Sequence, residues 1–300
     1  MHQRFYTQNE NIKVFIGGKI YERSEAKISV FDSSVQGGDA VWEGLRIYDG
    51  KIFCFHEHAD RLLASAKTLM FQNIPSKEYI KDAVIQTLKA NNFYTDAHIR
   101  LTLTRGEKIT SGMDPRLNQH GCCLIVLAEY KPPVYDNAAG IKLRTSSIRR
   151  NSPMHIDSKI HHNNLINNVL AKIEANLCGA DDGLMLDNLG FVAETNACNI
   201  FMAKKGVLLT PSADACLPGI TRGLIIKLAK QLGTEVVERN ISLSEFYNAD
   251  EVFTTGTMGE LTPVNEIDGR IIENNSGIHV REKLYTAFKS LTQINGEAIK

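Results

Sequence analysis

Excess of any kind is scarce in this 300-residue chain. Lys and Arg total 34, Asp and Glu total 34, and the net charge is zero. Without a basic surplus the chain lacks the phosphate-neutralising cations of a broad nucleic-acid binder, so nucleic acid is not an expected partner. There is no polybasic patch, no lipidation motif and no apolar run near the ~18–20 residues of a membrane-spanning helix. The opening Met1-His2-Gln3-Arg4-Phe5-Tyr6 has no apolar signal core. These absences predict a cytoplasmic protein away from membranes. The six cysteines, at positions 54, 122, 123, 178, 198 and 216, form neither a disulfide framework nor a C-x-x-C pair. Buried, reduced thiols are the expectation, the adjacent Cys122 and Cys123 being core residues of an apolar run. What is present is ordinary: 43% apolar and 23% charged residues, a globular composition. The length predicts two domains, each able to bury a core without disulfides or metals.

Periodicity gives the elements. Ile12, Val14 and Ile16 alternate into a Gly17-Gly18 turn, a strand signature. Ala59, Leu62, Leu63, Ala66, Leu69 and Met70 follow helical spacing, and residues 76–91 read as a second amphipathic helix with Ser76 as N-cap. From His98 to Arg105 the chain alternates, turning Ile99, Leu101 and Leu103 to the core. His98, Arg100, Thr102 and Thr104 share the other face, either a solvated outer face, favoured on the pattern alone, or the lining of a pocket. After an apolar strand at 123–128, Pro132-Pro133 excludes helix or central strand. The expected division is therefore a small domain at 1–128, a linker at 129–138 and a large domain at 139–300. In the large domain Ile141 and Leu143 alternate. Leu165, Val169, Ile173 and Leu177 repeat every four residues toward a Gly179 stop. Short strands at 184–186, 199–203 and 206–210 precede a helix at 221–232 ended by Gly233. Single helices among short strands predict two α+β domains rather than a βαβ array.

Three segments carry chemistry. Lys159 lies in Asp157-Ser158-Lys159-Ile160-His161-His162, just before a helix. Alone, a lysine is usually a solvated surface residue. Glu194 lies among apolar and small residues in Val192-Ala193-Glu194-Thr195-Asn196, and a buried carboxylate must be paired or employed. Leu217-Pro218-Gly219-Ile220-Thr221-Arg222 is a Pro-Gly turn into a helix, whose N-terminal N–H groups and dipole suit a phosphate. No metal site is expected. His161 and His162 are adjacent and point opposite ways in an extended segment, and His56 and His58 lack companion ligands.

Together these segments resemble the class IV pyridoxal-phosphate aminotransferases. That family includes branched-chain and D-amino acid aminotransferases, (R)-selective amine transaminases and aminodeoxychorismate lyase. Further matches are Phe31-Asp32, Trp42-Glu43-Gly44-Leu45-Arg46, His58-Ala59-Asp60-Arg61-Leu62 and Ala249 to Thr257, so the likeness runs from about residue 12 to about residue 290. The resemblance implies fold type IV, the D-amino acid aminotransferase-like α+β fold of two domains, with pyridoxal 5'-phosphate between them. It implies Lys159 as the lysine that takes the cofactor aldehyde and then moves a proton at the substrate, Glu194 at the pyridine nitrogen, and Arg61 at the phosphate. It further implies that the Ile220 and Thr221 backbone N–H groups and the Thr257 hydroxyl complete the phosphate cup, that Leu217, Gly219 and Asn164 are cofactor-binding positions, and that Asn199 orients the local backbone or cofactor. Asn164 is a departure: many branched-chain enzymes carry tyrosine there, on the cofactor's phenolic oxygen.

For substrate, the resemblance points to Trp42, Gly44, His98, Arg100, Met113, Thr257 and Met258. In branched-chain enzymes an aromatic-x-Arg pair serves the substrate carboxylate; here His98-Ile99-Arg100 keeps the arginine and replaces the tyrosine. Trp42 is either an apolar wall or ordinary packing. Gly37 replaces a usual tyrosine, and Arg116 is either a loop carboxylate binder or, somewhat better supported, a surface arginine. The implied reaction is transamination from an amino donor, branched-chain L-amino acids first, to a 2-oxo acid such as 2-oxoglutarate. D-amino acids or (R)-amines with pyruvate are the alternative, and lyase cleavage of aminodeoxychorismate is more distant. The resemblance also implies a homodimer.

Overall fold

The computed structural model describes residues 4–135 and 137–299; Met1–Gln3, Asp136 and Lys300, which fall within the expected domain and linker ranges, lie outside the described residues. The chain divides into two compact units. Among the described residues one comprises Arg4–Pro132, Ile160–Asn164 and residues 292–299; the other comprises Pro133–Lys159 and Leu165–Leu291, apart from Asp136.

In the N-terminal unit, β1 (Lys13–Ile16) and β2 (Lys19–Glu22) form a hairpin. Its turn residues Gly17 and Gly18 have φ of 55° and 98°, the left-handed region a two-residue hairpin demands. Helix α1 (Ser33–Gly37) is followed by the long strand β3 (Ala40–Tyr48) and by β4 (Lys51–Ile52). Helix α2 (Phe55–Thr68) turns Ala59, Leu62 and Ala66 into the core with Leu45 and Ile47 of β3. Helix α3 (Lys77–Ala90) is capped by Ser76, whose Oγ accepts from Tyr79 N at 3.1 Å. Strands β5 (Ala97–Thr104) and β6 (Cys123–Tyr130) pair antiparallel over their full length. Ile99, Leu101 and Leu103 are buried as the alternation requires.

The C-terminal unit contains β7 (Ile141–Thr145), α4 (Ile166–Leu177), β8 (Asp182–Leu186), β9 (Val192–Thr195), β10 (Asn199–Lys204) and β11 (Val207–Thr210). It continues with α5 (Ile220–Gln231), β12 (Val236–Glu238), α6 (Leu243–Tyr247), β13 (Glu251–Gly256), β14 (Glu260–Ile267), β15 (Arg270–Ile271) and α7 (Val280–Ile294). The chain then returns to the first unit, where β16 (Glu297–Ala298) pairs with β4. Among the described residues the first sheet runs β16-β4-β3-β5-β6-β1-β2 and the second β12-β11-β10-β13-β14-β7-β8-β9, with β15 on β14. In the second sheet β7 lies parallel to both β14 and β8, and β12 parallel to β11. These are two α+β units, each with its own apolar core.

Several expectations shift. Glu129 and Tyr130 pair with His98 and Ala97, so they belong to the sheet rather than to a linker. The second half of the chain is also not continuous, because residues 160–164 and 292–299 join the first unit. Met70 lies past the end of α2 at φ 56° and is exposed instead of packing on its apolar face. On α4 the buried residues are Ala171 and Ala175, while Ile166, Val169, Leu170, Ile173 and Leu177 are exposed. All six cysteines are free, but only Cys216 is buried; Cys178 is exposed and the rest, including Cys122 just before β6 and Cys123 at its start, are partly covered. Among the described residues no helix is long and apolar enough to cross a membrane.

Candidate active site

The N-terminal unit builds its polar centre on a carboxylate in the core. Strand alternation places Glu43 between Val41 and Leu45 on the apolar face of β3, with 0% exposure. Such a carboxylate is tolerable only when fully bonded. Arg61 Nε donates to Glu43 Oε1 and Arg61 Nη2 to Oε2, both at 2.7 Å. His58, one turn earlier on α2, places Nδ1 2.7 Å from Oε2, and His161 places Nδ1 3.1 Å from Oε1. Burial alone would raise this carboxyl, but the bonds from Arg61 and then His161 and His58 outweigh it and hold it well below the ordinary range.

The opposite face of the sheet carries the expected substrate residues. Trp42, Gly44 and Arg46 on β3 stand across from Thr102, Arg100 and His98 on β5. Arg100 lays its guanidinium 3.5 Å from the Trp42 ring centroid, a cation–π contact. Its Nη2 donates to Asn163 Oδ1 at 2.6 Å. The Trp42 indole also touches the His161 ring, with centroids 4.1 Å apart, and donates from Nε1 to His162 O at 3.1 Å. Trp42 is thus held between a guanidinium and an imidazole. His98 is buried, and its Nε2 has no hydrogen-bond partner. A Cβ on Gly44 would come within 3.0 Å of that atom, so the glycine makes room for the imidazole. Burial, then the charges of Lys131, Arg46 and Arg100, pushes His98 down to about 3. This face is not simply solvated.

Residues 160–164 are fastened to β3 like a short extra strand. Trp42 N donates to His161 O at 3.0 Å, and Asn163 N to Ala40 O at 2.8 Å. Val41 bridges His162, and His161 N donates to Ser65 Oγ at 3.1 Å. Asn164 is exposed beside Gly38. Met113 does not join this group: it is 98% exposed on its loop. Arg116 is also exposed and pairs locally with Asp114, its bonds lowering that carboxyl to about 2.

The C-terminal unit holds a second buried carboxylate. Glu194 on β9 is 5% exposed. Arg150 Nε donates to its Oε1 at 2.5 Å, Asn199 Nδ2 to its Oε2 at 2.9 Å, and Leu217 N to its Oε1 at 3.2 Å. Burial pushes this carboxyl up and Arg150 opposes it. Asn199 Nδ2 also donates to Leu217 O at 2.8 Å, so the carboxylate and the turn before α5 are held together. Gly219 is the N-cap of α5 and offers no side-chain cap. A Cβ on Gly219 would lie 1.9 Å from Asn199 Oδ1, which explains the glycine. Ile220 and Thr221 follow as the first helical residues, where backbone N–H groups have no partner within the helix. Thr257 and Met258 lie in the turn between β13 and β14, with Met258 O accepting from Val134 N at 3.2 Å. Lys159 is half exposed, its Nζ 3.6 Å from Asp157 Oδ1. Among the described residues no group of three His, Cys, Asp or Glu side chains could hold a metal.

Sequence reasoning missed Glu43, His58, His161 and Arg150 as site members. Two had a signal. Glu43 alternates with apolar residues, and His58 and Arg61 share a helix face by their spacing. Arg150 lies in an irregular segment with no period to expose it.

The chain is thus an α+β protein of two units, each with a buried carboxylate bonded to an arginine. A Thermus branched-chain amino acid aminotransferase with pyridoxamine 5'-phosphate superposes with a TM-score of 0.87 at 32% identity, over 94% of each chain. That enzyme is also solved with N-(5'-phosphopyridoxyl)-L-glutamate and with 4-methylvaleric acid. The family model of amino-transferase class IV matches residues 40–267, and the chain belongs to that family. It is 58% identical to branched-chain-amino-acid aminotransferase-like protein 2 of Arabidopsis thaliana over 97% of this chain. The chain spans about half the length of that relative, 52%. It is also 42% identical to a putative branched-chain-amino-acid aminotransferase of Methanocaldococcus jannaschii, covering 93% of this chain and 96% of that one.

Proposed function

We propose that this protein is a pyridoxal 5'-phosphate-dependent transaminase, moving an amino group from a branched-chain L-amino acid to a 2-oxo acid such as 2-oxoglutarate. One observation carries the reading: Leu217 N bonds Glu194, so the carboxylate is tied to the turn that opens α5. The residues fit the cofactor. Glu194 suits a protonated pyridine nitrogen, and the uncapped N-terminus of α5, at Gly219, Ile220 and Thr221, suits a phosphate. Arg61, whose guanidinium is forked onto Glu43, is assigned as a second phosphate ligand. Thr257 adds a hydroxyl. When bound, pyridoxal phosphate supplies the electron sink for a carbanion at the substrate Cα. Lys159 would supply the amine that holds the cofactor aldehyde and, when free, would move the proton at the substrate carbon. Glu194 would keep a proton on the ring nitrogen. Arg100 and His98 receive the substrate carboxylate, and Trp42, Gly44 and Met258 flank the side chain.

The substrate choice draws on the relatives. The Thermus enzyme carries a glutamate adduct in one structure and 4-methylvaleric acid in another. A homodimer is part of the proposal, supported by the exposed apolar stripe of α4. Three measurements test it. The purified protein should show a visible cofactor band that Lys159→Ala abolishes. It should also turn over leucine, isoleucine or valine with 2-oxoglutarate. Activity only with D-alanine and pyruvate, or with (R)-1-phenylethylamine, would replace the substrate assignment. Pyruvate release without an acceptor would replace the reaction. Sedimentation at the monomer mass would remove the dimer.

A further inference from the structure

The two oxygens of Glu43 are held symmetrically, and one of the four contacts comes from an unexpected place. Oε1 accepts from Arg61 Nε and faces His161 Nδ1; Oε2 accepts from Arg61 Nη2 and faces His58 Nδ1. Each oxygen thus takes one arm of the guanidinium and one imidazole. His58 sits on the same helix as Arg61. His161 belongs to the fastened segment that begins one residue after Lys159. Its backbone is fixed on both sides, by Ser65 Oγ on its N–H and by Trp42 N on its carbonyl, and its ring rests on Trp42. An imidazole with so little freedom keeps one N–H aimed at the carboxylate. Burial holds His161 below its ordinary range, with Glu43 pulling the other way, so the ring is a neutral donor beside Arg61 and His58.

We propose that His161 is a positioning residue for the cofactor phosphate: through Glu43 Oε1 it fixes the plane of the Arg61 guanidinium. Without that N–H, Oε1 keeps only the Arg61 bond while Oε2 keeps both of its contacts, so the carboxylate is held from the His58 side alone and tips, tilting the guanidinium with it. The inference rests on the cofactor reading above, in which Arg61 meets the phosphate.

The test compares two ligands on the cofactor-free full chain: pyridoxal phosphate, and pyridoxal, which lacks the phosphate. Both are titrated by their absorbance change against wild type, His161→Phe and His161→Asn. Phe keeps the ring on Trp42 and removes the N–H; Asn removes the ring and places an N–H where Nδ1 was. His161→Phe should lose about tenfold in affinity for pyridoxal phosphate, the equivalent of one charge-assisted hydrogen bond. Its affinity for pyridoxal should not change, and His161→Asn should stay within a few-fold of wild type for both ligands. An equal loss for both ligands, no loss in His161→Phe, or a loss confined to His161→Asn overturns the assignment. A wild-type protein that binds neither ligand overturns the cofactor reading and this inference with it. Should His161→Phe fail to fold, His161→Leu with the same two titrations gives the same decision.

Discussion

Glu43 and Glu194 make an instructive pair. Both lie on sheet strands, both are buried, and both bond an arginine. Their proton affinities nevertheless move in opposite directions, Glu43 down and Glu194 up. Burial acts the same way on each, so the difference lies in the donors. Glu43 takes two arms of Arg61 and faces two imidazoles. Glu194 takes one arm of Arg150, one amide of Asn199 and one backbone N–H. A carboxylate saturated with cationic and imidazole donors is an anchor. One held by fewer, weaker donors retains an appetite for a further cation, which is what a pyridinium requires.

The comparison can be broken most forcefully at the anchor. Glu43→Gln leaves Arg61 buried against an amide, and breaking a buried ion pair from one side costs about 3–5 kcal/mol. Denaturant unfolding should show that loss, while Glu194→Gln, which leaves Arg150 buried against an amide but removes a carboxyl whose ionised form burial disfavours, should cost less at pH 7. Next comes the catalytic contrast: Glu194→Gln should lower kcat/KM about 10²- to 10³-fold, the scale of one preorganised charge contact. Equal effects of the two substitutions on stability would erase the distinction.

Acid titration sharpens it further, and the signs differ. Glu43 is depressed, so its stabilisation is complete above the ordinary carboxylate range and is lost as pH falls through the folded value. Glu194 is raised, so its contribution is greatest at low pH and is lost as pH rises through its folded value. His98 adds to the acid sensitivity of the N-terminal unit. The unfolded chain takes up its proton below 6.5, whereas the folded chain resists to about 3. Between those values each pH unit costs about 1.4 kcal/mol. His98→Gln should therefore flatten the acid limb of an unfolding curve measured from pH 6 to pH 4; an unchanged slope would mean that the imidazole is not excluded from protonation. The smallest effect is expected at Arg116, whose exposed pairing with Asp114 should be dispensable: Arg116→Ala should leave the melting temperature and turnover within error.

The elements were legible where period and caps agree. Ser76 marks the start of α3, Gly17-Gly18 marks the first hairpin, and alternation sets the inward face of β5. Glu194 and the turn before α5 were legible as a likeness in short segments, because a buried carboxylate and a helix start leave local traces. What the sequence concealed was long-range. Nothing local shows that residues 160–164 pair with β3, that Arg150 reaches Glu194, or that Trp42 would be clamped by Arg100 and His161. The apolar repeat of α4 was legible, but period alone cannot say whether a face meets the chain's own core or is left uncovered.

The strand β16 has a consequence for synthesis. Its residues Glu297 and Ala298 pair with Ile52 and Lys51, so the first sheet waits for an edge that is translated after the entire second unit. Growing on the ribosome, the N-terminal unit stands one strand short, with β4 as an open edge. It reaches its final form only when residues 297 and 298 have emerged, so a chain cut short before residue 297 forfeits part of a unit whose other strands are made much earlier.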